Sequence, residues 1–77
     1  MLTYKLEVAN QTPIEGTLQS TDTTACEREL QAMYPDLNPK QDSLTVYRDG
    51  EVVMWLDDII GGEYHFEYDA DYRYGEY

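Results

Sequence analysis

A thiol beside an imidazole is the least equipment a nucleophilic enzyme can carry, and this chain holds one cysteine and one histidine, Cys26 and His65. Cys26, however, falls inside an apolar stripe of helical spacing, where a thiol is shielded and inert, and His65 stands between the carboxylates Glu63 and Glu67. The pair Asp57 and Asp58 has the chemistry of a divalent-ion ligand or an acid/base couple. Neighbouring strand residues point to opposite faces, though, and no histidine, lysine or second carboxylate motif is tied to the pair in sequence. Asp69-Ala70-Asp71 opens like a calcium loop, but Arg73 occupies the place of the third oxygen ligand and Tyr74 that of the required glycine. One cysteine and one histidine make no zinc site, and nothing after Gly61-Gly62 has the form of a phosphate loop. The expectation is a chain with no catalytic residue, no metal and no cofactor.

Charge and rings remain. The stretch EYHFEYDADYRYGEY, Glu63 to Tyr77, carries five of the eight tyrosines, five carboxylates and one arginine. Its first part alternates strictly, so Tyr64, Phe66 and Tyr68 should face one way and Glu63, His65, Glu67 and Asp69 the other. Alternate residues of a strand recur about every 6.6 Å. Glu63, Glu67, Asp69 and Asp71 would therefore draw a line of negative charge whose period approaches that of neighbouring phosphates. Tyrosine rings among those charges offer flat faces of the kind stacked bases present. An edge strand with aromatics inward and charges outward accounts for Glu63 to Tyr68. It does not account for Tyr72, Tyr74 and Tyr77, because chain ends rarely concentrate large rings.

The whole composition agrees with this local chemistry. Sixteen acidic and five basic side chains among 77 residues give a net charge of −11, which opposes contact with nucleic acid or anionic lipid and favours positive partners. At 42% hydrophobic residues the chain still folds, as one domain over residues 1–77, with 70–77 expected as a frayed tail. Cys26 can form no internal disulfide. MLTYKLEVAN lacks a basic region followed by an apolar run, and no long apolar segment occurs, so a cytosolic location is expected.

The elements that must position the acidic line are readable from periodicity. Leu2, Tyr4, Leu6 and Val8 alternate with polar residues as a first strand; Asn10 to Pro13 turn; Ile14, Gly16 and Leu18 return, with Gly16 marking a weak point or bulge. Thr24 and Glu27 fit a capping box, so a helix should begin there, bury Cys26, Leu30, Met33 and Tyr34, and stop at Pro35. Ser43 to Arg48 is a strand, and Asp49-Gly50 predicts a two-residue hairpin. Pairing Arg48 with Glu51 sets Val46 against Val53 and Leu44 against Trp55, making Trp55 a central core aromatic, and leaves Tyr47, Val52, Thr45, Met54 and Leu56 on the other face. Asp57 to Gly62 reads as a break with a bend or helical turn, before a last strand from Glu63. The fold class is α+β: one small domain, β-β-α-β-β-β, an antiparallel meander of four to five strands with one helix on one face.

In size and acidity, through the −11 charge and the Glu63 to Tyr77 run, the chain resembles the small phage-type proteins that mimic DNA to block restriction, repair or CRISPR effector enzymes. Those families share no one fold; the resemblance implies a target class alone. The function expected is that of a non-enzymatic inhibitor lodged on a basic nucleic-acid-binding surface of another protein, in the host cytoplasm if phage-encoded. Asp57, Asp58, Glu63, Glu67, Asp69 and Asp71 would pair with its arginines and lysines, while Tyr68, Tyr72 and Tyr74 would anchor. Two alternatives stand beside it. One is an antitoxin or immunity protein plugging a basic nuclease toxin; the other is a homodimer or assembly protein using the Tyr47, Val52, Met54 and Leu56 face.

Overall fold

A computed structural model describes residues 1–69, so the expected tail at 70–77 lies outside the described residues. Alternation of apolar and polar residues builds β1 (Leu2–Glu7), which buries Leu2, Tyr4 and Leu6, and a short return strand β2 (Ile14–Thr17) pairs with it antiparallel. Helix α1 (Thr23–Met33) follows, then β3 (Ser43–Arg48), β4 (Glu51–Ile60) and β5 (Glu63–Tyr68). The five strands form one antiparallel sheet in the order β2-β1-β3-β4-β5. The class is α+β with a helix on one face. It is not a simple meander: β3 pairs with β1 rather than with β2, so α1 carries the chain from one side of β1 to the other.

The helix is capped two residues earlier in sequence than the Thr24 to Glu27 box suggests. Asp22 is the N-cap, its carboxylate accepting from the Ala25 N–H at 3.3 Å. Cys26 and Leu30 are fully buried, each large apolar side chain so placed contributing about 1.5–3 kcal/mol. Met33, expected in the same stripe, is 43% exposed, because the helix ends there and Pro35 turns the chain away. Tyr34 instead folds back: its ring meets that of Tyr4 edge-on with centroids 5.8 Å apart, and the two hydroxyls share a hydrogen bond of 2.7 Å. The Tyr4 ring lies over Gly16, which explains that glycine as a place for a ring to rest rather than as a bulge.

The turn Asp49-Gly50 has φ of 52° and 88°, the left-handed pair a two-residue hairpin needs. Beyond it the register departs from strict pairing. Arg48 meets Glu51 and Tyr47 meets Val52, but Val46 meets Met54 and Thr45 meets Trp55, so one extra residue, Val53, is accommodated in β4. That single insertion turns every following side chain to the opposite face. Met54 and Leu56 become core, 0% and 8% exposed, and Trp55 leaves it. Both earlier assignments are corrected: Trp55 is not the central core aromatic, and Met54 and Leu56 are not available to a dimer face.

A second irregularity falls between Leu56 and Asp58, where Asp57 is the extra residue. The expected break at Asp57 to Gly62 is therefore no break. The strand runs on through a bulge to Ile60, and Gly61-Gly62, with φ of 60° and 83°, is the hairpin turn into β5. The core lies between α1 and one face of the sheet and gathers Leu2, Leu6, Leu30, Leu44, Val46 and Met54 among its most buried members.

Candidate functional site

The uncovered face of the sheet is built by the same alternation that makes the core. Reading across all five strands, Glu15, Lys5, Thr45, Trp55 and Glu67 are successive partners, forming one row on the side away from the helix. A second row runs Thr17, Thr3, Tyr47, Val52. Trp55 and Tyr47 are half-buried by their neighbours, and Val52 is 41% exposed. None of the three belongs to the hydrophobic core or packs against it. Among the described residues, no helix or strand covers this face.

Its acidic margin is β5. Tyr64, Phe66 and Tyr68 turn toward the helix, so Glu63, His65 and Glu67 line the other side, and Asp69 continues the ladder by donating its N–H to the Val53 carbonyl at 3.0 Å. Asp58 is the cross-strand partner of His65. Asp57 and Asp58 are both exposed, and the Asp58 carboxylate accepts from the Ile59 N–H at 2.8 Å. The structure therefore brings Asp58, Glu63, Glu67 and Asp69 to one margin, with Asp57 displaced into the bulge beside them. Lys5 lies near the opposite margin between Glu15, its β2 partner, and Glu7, whose carboxylate is 4.0 Å from its ammonium.

Tyr68 keeps the face that alternation assigns it, with Tyr64 and Phe66, and so lies away from the carboxylates beside which it is expected to anchor. It faces α1, half-buried, and its hydroxyl donates to the Glu27 carboxylate, so its ring tethers the helix instead of joining the acidic margin. Asp71, Tyr72 and Tyr74 fall outside the described residues. Among the described residues, Trp55 is the aromatic side chain that lies beside the margin, as the partner of Glu67, and Tyr47 stands in the adjoining row. Sequence reasoning missed Trp55 because a bulge has no composition signature; the one signal available was that strict pairing left apolar residues on both faces of the hairpin.

Several bonds hold this geometry. Gln31 of α1 grips the β4–β5 turn: its amide nitrogen donates to the Gly62 carbonyl at 2.9 Å, and its amide oxygen accepts from the Tyr64 N–H at 3.2 Å. The Tyr64 hydroxyl donates to the Tyr34 carbonyl. Beside that grip are two shallow depressions, one of about 400 Å³ lined by Arg28, Gln31, Ala32, Pro35 and Gly62, the other of about 320 Å³ reaching Glu27 and Glu63. Neither has the enclosed apolar lining of a small-molecule site.

Cys26 and His65 are not brought together: the sheet stands between them. The Cys26 thiol is buried, lies 3.3 Å from the Ser20 carbonyl as a donor, and is pushed up to about 11 by burial first and then by Glu29 and Asp22. At neutral pH it is a thiol and a poor nucleophile. Among the described residues no group of three or more histidine, cysteine, aspartate or glutamate side chains is placed to hold a metal ion, and no helix is long and apolar enough to cross a membrane. No protein-family model matches the chain, and neither does any curated protein or solved structure.

Proposed function

We propose that this protein is a non-enzymatic inhibitor that occupies the basic, nucleic-acid-binding surface of another protein. One observation carries the reading: Asp58, Glu63 and Glu67 share one side of an edge hairpin, set beside the half-buried ring of Trp55, on a chain of net charge −11. Glu63 and Glu67 are about 13 Å apart along β5, with His65 between them, and Asp58, the cross-strand partner of His65, fills the intervening step of about 6.6 Å. Such a row offers arginines and lysines a series of acceptors spaced much as a nucleic-acid backbone offers phosphates. Long-range attraction from the whole charge supports fast encounter with a positive surface. A homodimer through the hairpin face is less favoured, since two of its four expected residues, Met54 and Leu56, are core.

The test starts by capturing partners from a lysate on the immobilised chain at low salt and eluting with salt. A captured protein is then assayed for nucleic-acid binding with and without the chain. The expected outcome is competition by the native chain and at least a tenfold weaker competition by a variant carrying Asp58→Asn, Glu63→Gln and Glu67→Gln, three charges whose loss removes steering and ion pairs together. Competition that the triple variant delivers undiminished, or partners whose nucleic-acid binding the native chain leaves intact, would overturn the reading.

A further inference from the structure

We infer that the ring of Trp55 is the seat for an arginine guanidinium of the protein partner, a reading that rests on the function proposed above and adds where on the sheet the partner docks. Trp55 stands on the uncovered face with Thr45 on one side and Glu67 on the other, and Tyr47 and Val52 lie in the adjoining row. An indole face attracts a cation through its quadrupole, and an arginine does so best, because its planar group stacks on the ring while its N–H fork meets a carboxylate alongside. Thr45, a small neutral neighbour, leaves the ring approachable, and the carboxylates of the β5 margin lie alongside. Lysine, a strongly hydrated point charge, gains less from a ring.

Charge decides the occupant. A second copy would bring a surface of net charge −11 against another of the same sign, and a nucleic acid would meet the same repulsion. A basic protein segment gains from both the ring and the acidic margin. Among the described residues, Lys5 is the cation of this face, and it sits at the far side between Glu7 and Glu15, away from Trp55.

Trp55 is the single tryptophan, so the full chain reports on this site by its own fluorescence. The probes are two peptides of equal length, one rich in arginine and one in lysine, titrated at low and high salt by fluorescence and by calorimetry, the latter serving the variants that lack the tryptophan. Binding of the arginine peptide should change the Trp55 emission and be about threefold to fivefold tighter than that of the lysine peptide. Trp55→Leu, which keeps apolar bulk without the π face, should abolish the preference while far-UV circular dichroism stays unchanged; Trp55→Phe should keep part of it and serves if the leucine variant fails to fold. Glu63→Gln with Glu67→Gln should weaken both peptides, the arginine peptide the more.

Equal affinity for the two peptides with an unmoved emission would overturn the arginine seat yet leave the acidic margin standing as the contact surface. Binding of neither peptide at low salt would overturn the proposed function along with it. Emission already shielded from acrylamide in the free chain would show the ring covered, by residues 70–77 if shielding is independent of concentration and by a second copy if it grows with concentration. Either result overturns the seat.

Discussion

Single side chains in this protein are separated by what lies above them. Leu30 is 0% exposed and Met33, one turn later on the same helix, is 43% exposed, although helical spacing alone assigns both to the core. Leu30→Ala should therefore destabilise by about 2–5 kcal/mol, a cavity in a domain this small, whereas Met33→Ala should stay within about 0.5 kcal/mol; urea melts of the two variants check the contrast. Glu29 shows a different residue-scale role. Its carboxylate accepts from the Gln19 N–H at 2.9 Å and from the Ser20 N–H and hydroxyl at 3.0 Å each, pinning the loop that enters the helix. Those bonds, led by that from Gln19, hold its carboxyl below the ordinary value near 4.5 against the opposing effect of burial. A folded value below the unfolded one stabilises the fold above the unfolded value and is lost as pH falls through the folded value. Glu29→Gln should accordingly lower the melting temperature at neutral pH and lose that penalty progressively in acid; a gap between variant and native chain that stays constant from neutral pH down to strong acid would contradict the role.

Elements in this fold are governed by close approach and register. Gly16 illustrates the first: a Cβ there would lie 2.8 Å from both Cε1 and the hydroxyl of Tyr4, and the Tyr4 ring is itself fixed by its bond to Tyr34. Alanine normally improves on glycine within a strand, yet Gly16→Ala should destabilise by about 1–3 kcal/mol through overpacking. Tyr4→Phe with Gly16→Ala should not restore that loss, because the ring carbons remain in the way. Strands, helix and turns were legible wherever one local rule decided them: the alternation of β1 and β5, Asp49-Gly50, and the stop at Pro35. The register was not, since Val53 and Asp57 enter β4 as extra residues and nothing in their types distinguishes them from ordinary strand positions. The same limit applied to the candidate site. Alternation placed Glu63, His65 and Glu67 on one side correctly, but it sent Trp55 to the core and Met54 and Leu56 to the surface, the reverse of their positions. The Tyr68 tether to the helix was not legible for another reason: Glu27 lies far away in sequence.

At the scale of the whole molecule, charge dominates. Among the described residues, Met1 pairs with Asp49 at 3.4 Å and Lys5 with Glu7 at 4.0 Å, both at the surface, and such pairs contribute about 0–1 kcal/mol each. Mutual repulsion within a net charge of −11 is the larger effect, and a Debye length of about 10 Å at 0.1 M salt is short enough to relieve it. The thermal midpoint should rise as sodium chloride goes from low to moderate concentration. A midpoint that falls steadily over that range, in scanning calorimetry or circular dichroism, would mean that favourable pairs outweigh repulsion.

The strand order also has a kinetic consequence. β1 is the first strand made, yet it lies between β2 and β3, and its pairing with β3 joins Leu2 to Arg48 and Glu7 to Ser43. During synthesis the β1–β2 hairpin emerges early, with one side of β1 still open, and must wait for the helix and β3 before the sheet can close. An isolated hairpin is at best marginally stable. Cooperative folding is thus postponed until most of these strands have left the ribosome, and a nascent chain halted before Ser43 should remain protease-sensitive, while one lengthened by a linker until Tyr68 has cleared the ribosome becomes resistant.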